Sequence, residues 1–159
     1  MIRSRCVLVL AAFFVFTPVL AQPGPAATSY RSFDLAVYCR VDDVRRMAEG
    51  DWLERHFALL QKQLRIGKVY LETHRNRVTN DRETMLRVKR FFEQRGIRTA
   101  GGITLVADEG REFQQFSYTD PADRRHVEEV VRYTAGLFDE LILDDFFFTT
   151  TKRESDIQA

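Results

Sequence analysis

Apolar and polar positions along residues 33–150 follow a plan that repeats four times. Each short apolar run ends in polar or charged residues, and after each of the first three, apolar residues recur at helical spacing. The runs are Phe33 to Val41, Lys68 to Thr73, Ile97 to Leu105, and Leu141 to Leu143, the last stopping on Asp144 and Asp145 before Phe146-Phe147-Phe148. The unbroken apolar character of the fourth predicts a fully buried strand that delivers acids to a pocket at its C-terminal end. Between the first two runs, Asp51 with Glu54 reads as a capping pair ahead of Leu53, Phe57, Leu60 and Leu64, and Gly67 as the left-handed cap that stops the helix. Between the next two, Asn80 with Glu83 reads as an N-cap pair, Met85, Val88 and Phe92 form an apolar face, and Gly96 closes the helix. His74 and Arg75 fall in the loop before it. The Gly101-Gly102 pair weakens its strand and so points to close approach by a backbone or a ligand, or to a bend that suits tight packing. Gly110 to Tyr118 reads as a loop excursion with a short strand within Phe113 to Tyr118, and Asp120-Pro121 opens a helix carrying Val127, Val130, Val131 and Phe138.

The resulting order is β-α-β-α-β-α-β. Strands recurring every ~30 to 40 residues have the spacing of right-handed crossover units, which require a parallel sheet. Two completions fit: a small open sheet, or the first half of a (β/α)8 barrel.

Before the first strand the pattern changes. Arg3 and Arg5 precede the apolar run Val7 to Phe16, Pro18 follows, and Val19-Leu20-Ala21 supplies the small residues that a signal peptidase reads. Residues 1–21 are expected to be a cleaved signal peptide, and 22–32, rich in Pro, Gly, Ser and Thr, a flexible linker. The domain spans 33–150, and 151–159 form a polar tail. A secreted or periplasmic protein without a stable membrane anchor follows. Cleavage removes two arginines and no acid, turning the formal charge of the 159-residue chain from +1 to −1, so neither a nucleic-acid stripe nor a polybasic membrane patch is implied. It also removes Cys6, leaving Cys39 alone inside an apolar strand as a small buried hydrophobe.

The C-terminal ends of the four strands collect Arg40, Asp42 and Asp43, then Glu72, His74 and Arg75, then Thr104, then Asp144 and Asp145. In a parallel sheet these ends share one edge, so acids distant in sequence converge. Paired carboxylates suit general acid and base work, and glycoside hydrolysis is the reaction class that most often uses only such groups. Asp144, Asp145 and Glu72 are the catalytic candidates. Strand alternation lets only one of the two aspartates face the cleft. Arg40 and Arg75 are candidates to bind substrate, Arg75 by holding a hydroxyl or orienting an acid. Tyr38, Tyr70 and Phe146 to Phe148 read mainly as core, with a rim position such as Tyr38 left to stack on a sugar face. Asp42 and Asp43 precede helical sequence and read first as capping acids. His74 has no second His nearby in sequence and makes a poor metal ligand, and neither metal nor cofactor is expected.

Val69 to Thr73, Arg82 to Leu86 with Phe91 to Ile97, the Gly101-Gly102-Ile103-Thr104 strand and Ile142 to Phe148 together resemble the N-terminal half of secreted bacterial glycoside-hydrolase-like TIM-barrel proteins. The resemblance implies a parallel half barrel, a polysaccharide or oligosaccharide substrate, and a catalytic acid at the end of the fourth strand, Asp144 or Asp145. Such proteins continue through four further units, so the expectation is a truncated glycoside hydrolase-like protein acting on a polysaccharide by carboxylate acid/base catalysis, active or inactive, with self-association through the sheet edges. Two other readings compete: a non-catalytic carbohydrate-binding or remnant domain, and a metal-dependent carbohydrate deacetylase or phosphatase, whose usual histidines or Asp-x-Asp motif are missing.

Overall fold

The computed structural model describes residues 30–144, 147–149 and 151–159, so the expected signal peptide, most of the linker, Asp145 and Phe146 lie outside the described residues. Its centre is a parallel sheet of β1 (Leu35–Cys39), β2 (Ile66–Arg75), β4 (Arg98–Ile103) and β7 (Leu141–Leu143), side by side in chain order. The crossovers are α1 (Val41–Met47) with α2 (Trp52–Leu60), then α3 (Arg82–Glu93), then α4 (Pro121–Ala135). A two-residue strand β3 (Val78–Thr79) folds back on β2, a separate hairpin pairs β5 (Val106–Asp108) with β6 (Gln114–Gln115), and a short helix α5 (Glu154–Ile157) ends the chain.

The helices of all three crossovers cover one face of the sheet. Cys39, Val69 and Leu71, spaced by two along their strands, share one core with Val44 of α1, Leu53 and Phe57 of α2, and Met85, Val88, Phe91 and Phe92 of α3. Phe57 meets Phe91 and Phe92 edge-on, each at a centroid distance of 5.5 Å. On the same face Gly101 lets α4 come close: a Cβ there would stand 2.4 Å from Thr134 Cγ2 and 2.9 Å from Phe138 Cδ2. The opposite face, where Tyr38, Tyr70, Glu72, Gly102 and Ile142 fall by register, carries no helix among the described residues.

Asp42 and Asp43, read first as acids at a helix start, do occupy the first turn of α1, where carboxylates favour the positive helix pole. Several local expectations are corrected. Asp51 takes the N-cap position of α2 without capping it, and pairs instead with Arg55 at 3.1 Å. Gly67 lies inside β2, while α2 ends at Leu60, which leaves Leu60 and Leu64 exposed. The cap of α3 is Asp81, accepting from Thr84 N at 2.9 Å; Asn80 is buried and donates to the Val41 carbonyl at 2.8 Å. β7 pairs only with β4 among the described residues, so Ile142 and Leu143 are 37% and 42% exposed where a fully buried strand was expected. The tail contributes structure of its own: Asp156 accepts from Ser117 Oγ at 2.8 Å, Thr119 Oγ1 at 2.6 Å and Thr151 Oγ1.

Candidate functional site

The largest departure from strict alternation lies at the end of β2, and it builds the site. Glu72 pairs with Gly102, but the next pair is His74 with Ile103, so one extra residue, Thr73, is accommodated in β2. The slip turns both Thr73 and His74 toward α4. Thr73 Oγ1 lies 2.6 Å from Thr134 Oγ1, and His74 Nε2 lies 3.0 Å from His126 Nε2. Arg75 is thereby returned to the side that carries Glu72. The strand then turns through Asn76 and Arg77, both left-handed at φ 53° and 58°, as the tightest hairpins require. His74 and Arg75 thus belong to a strand and hairpin instead of an open loop, and the second histidine that spacing could not reveal comes from α4.

Glu72 is fully buried, and every neighbour donates to it. Arg75 spans both its oxygens, with Nε 3.0 Å from each and Nη2 2.7 Å from Oε1. The Tyr38 hydroxyl donates to Oε1 at 2.8 Å, the Val41 amide to Oε2 at 2.6 Å, and the Thr104 hydroxyl also to Oε1. Gly102 leaves room for the phenol, since a Cβ there would stand 2.7 Å from Tyr38 Oη. A carboxylate so enclosed presents no oxygen to a ligand. It fixes Arg75.

Arg75 reaches two more carboxylates. Nη1 binds Glu109, and Nη2 lies 3.8 Å from Asp144 Oδ2, which also accepts from Thr104 Oγ1 at 3.1 Å. Glu109 stands in the β5–β6 hairpin, just before the segment read from the sequence as a loop excursion with a short strand, which β6 supplies. It receives Arg40 Nη2 at 3.1 Å and Asn76 Nδ2 at 3.3 Å, and its own amide donates to Asn76 Oδ1 at 2.9 Å. Burial pulls its carboxyl upward, but Arg75, Asn76 and Arg40 outweigh that and hold it below the usual glutamate range. The side chains of Glu109 and Asp144 retain 23% and 21% exposure, so both are reachable from solvent.

The site therefore gathers Tyr38, Arg40, Glu72, Arg75, Thr104 and Asp144 from the strand-end residues and candidates of the sequence reading and adds Glu109. Burial pushes the Tyr38 phenol well above its ordinary range, so it serves as a neutral donor. Asp145 lies outside the described residues. Among the described residues no group of three or more His, Cys, Asp and Glu is disposed to hold a metal, and no helix is long and apolar enough to cross a membrane.

A parallel α/β domain with a charged centre at the C-terminal edge of its sheet has the layout of many enzymes of this class. Residues 22–159 match the family model described as "Probable glycosyl hydrolase, catalytic domain", and the chain belongs to that family. It is also 33% identical over 137 residues to the "Uncharacterized protein SSO3021" of Saccharolobus solfataricus, an alignment covering 80% of this chain. The chain spans 22% of the length of that relative. No solved structure gives a significant match.

Proposed function

We propose that the chain forms part of a (β/α)8 barrel that hydrolyses a glycan, with Asp144 as general acid and Glu109 as its charged partner. The observation that carries this reading is one arginine, anchored by buried Glu72, whose Nη1 binds Glu109 and whose Nη2 lies 3.8 Å from Asp144, two solvent-reachable carboxylates. The two acids differ in environment, the condition that lets a pair divide acid and base roles. Three donors hold Glu109 charged, fit to activate water, attack the sugar or stabilise an oxocarbenium ion. Asp144 accepts from the Thr104 hydroxyl at 3.1 Å and lies 3.8 Å from Arg75 Nη2. The Thr104 hydroxyl and the nearby Arg75 guanidinium position the Asp144 carboxyl at this edge of the sheet. In the proposed mechanism Asp144 protonates the glycosidic oxygen.

The barrel reading draws support from strand order and from the one-sided helical layer. Doubly wound sheets reverse their strand order and cover both faces, whereas barrel strands run in sequence with helices outside only. Export is part of the same proposal, supported by the character of residues 1–21 and by a family match that begins at Gln22. A mature N-terminus at Gln22 by mass spectrometry is the expected result, and a chain kept in the cytoplasm from Met1 overturns it.

The catalytic test assays Asp144→Asn, Glu109→Gln and Asp145→Asn on a panel of polysaccharides, with circular dichroism melts alongside. The first two should lower turnover by a factor on the order of a hundred to ten thousand while the fold survives. Loss confined to Asp145→Asn would move the acid role to that residue. Unchanged hydrolysis in all three would remove these carboxylates from the mechanism.

A further inference from the structure

Beside the charged centre, the β5–β6 hairpin and the segment Thr151–Arg153 enclose a groove of about 440 Å³. Its lining includes Arg111, Lys152 and Arg153 against the one acid Glu112, together with the amides of Gln114 and Gln115. We propose that this groove binds a carboxylate-bearing sugar unit of the glycan, so that the substrate is an acidic polysaccharide of the polyuronate kind. This rests on the glycan reading above and deepens it.

Four features support it. First, both walls belong to loops that follow strand C-termini, the hairpin after β4 and the segment after β7. Glu109 of that hairpin already joins Arg75. The groove thus shares the β5–β6 hairpin with Glu109. Second, the walls are pinned to each other, because Asp156 bridges Thr151 to Ser117 and Thr119 just past β6. Those hydroxyls hold its carboxyl down at about 2, so the bridge stays intact at any ordinary pH. Third, Phe113 is 51% exposed on a backbone with φ 56°, directly after Glu112 at φ 51°. Two consecutive left-handed residues other than glycine cost roughly 1–2 kcal/mol each, and such strain collects where a side chain has a task. An exposed ring offers a platform for the apolar face of a pyranose, and the Gln114 amide suits its hydroxyls. Fourth, the cations are disposed for an anion. Lys152 is exposed with no ion pair among the described residues, while Arg111 and Arg153, paired to Asp108 at 3.3 Å and Asp120 at 3.7 Å, keep side-chain exposures of 79% and 50%. Guanidinium groups can bind a carboxylate through paired N–H donors in a fixed geometry.

The test measures binding apart from hydrolysis. Calorimetric titration of the full chain with a galacturonic acid hexamer, and separately with a galactose hexamer, should show the acidic ligand preferred by roughly tenfold or more at low ionic strength, the margin shrinking as salt rises. Lys152→Glu should weaken the acidic ligand roughly tenfold, and Phe113→Ala should weaken both hexamers. Equal affinity for the two hexamers would overturn the inference, as would acidic binding that survives Lys152→Glu. Hydrolysis of a neutral polysaccharide without measurable binding of the acidic hexamer would also overturn it while leaving the hydrolase reading in place. Neither binding nor hydrolysis of any glycan would remove both.

Discussion

Lowering the pH from 7 toward 4.5 should weaken the fold through His74. This imidazole is fully buried between β2 and α4, with Nδ1 2.9 Å from the Thr104 carbonyl and Nε2 3.0 Å from His126. Burial lowers its pKa from an ordinary 6.5 to about 4; His126 and Arg77 push the same way, and the Thr104 carbonyl and Glu72 oppose. The geometry gives the same direction. Nδ1 needs its hydrogen for Thr104, so neutral His74 accepts at Nε2 from His126, and a second proton on His74 would set two N–H groups head to head. His126 is lowered as well, chiefly by burial, so it supplies no easier route to protonation.

Below pH 6.5 the unfolded chain protonates His74, while the folded chain waits until about 4. The unfolded state then binds more protons, and stability must fall as pH drops through that window. A shift of about 2.5 units at 1.36 kcal/mol each is worth about 3 kcal/mol, of which about 2 kcal/mol should be lost by pH 5. That is a large share of the ~5–15 kcal/mol typical of a domain. Urea unfolding followed by circular dichroism at pH 7.5, 6, 5 and 4.5 measures it, with His74→Asn as control because its amide can still reach the Thr104 carbonyl. The variant should show a flatter dependence over this range. A slope identical to that of the unaltered chain, or stability that rises between pH 7 and 5, would refute the assignment.

Replacing Arg75 by Met strands Glu72 as a buried charge without its main partner, and should cost about 3–5 kcal/mol in urea unfolding; adding Glu72→Gln should restore part of it. Arg75→Lys keeps the charge but offers one point where the guanidinium reaches three carboxylates, so activity should fall further than stability, read as kcat on the best substrate against the urea midpoint. Gly101→Ala puts a methyl 2.4 Å from Thr134 Cγ2 and should cost about 1–3 kcal/mol, partly recovered by adding Thr134→Ser, which removes that methyl.

The sheet was readable from the sequence because buried parallel strands are short apolar runs and the helices between them carry period-3.6 faces. Asp120-Pro121 is a cap in both readings, with the Asp120 side chain accepting from Ala122 and Asp123. Three features escaped for physical reasons. Period-2 alternation assigns Glu72 and His74 to one face and Thr73 to the other, and only the slip at Thr73 separates the two and brings Arg75 back to Glu72. The β3 hairpin turns on Asn76 and Arg77, without the glycine that would mark it; Arg77 is held by Asp123 at 2.8 Å and by the Phe116 ring at 4.6 Å. Glu109 sits in a hairpin with two-residue pairing and little apolar signal, so its value appears only once Arg40, Arg75 and Asn76 are seen around it.

The burial of Glu72 also explains why the most enclosed acid is the wrong place to look for chemistry. An acid with every oxygen occupied by strong donors would have to break several of them to exchange a proton, each charge-assisted bond being worth roughly 1.5–3 kcal/mol. Its contribution is orientation: with Nε and Nη2 committed to Glu72, the guanidinium plane is set, and Nη1 can only face Glu109. Tyr38 and Thr104 complete the enclosure from β1 and from the end of β4, so three strands fix one arginine. The groups left with exposed oxygens, Glu109 and Asp144, come from the hairpin and from the edge strand, where the chain is least constrained by the core. The rigid part of the fold thus holds the cation, and the acids that would meet a glycan are carried by the segments that can approach it.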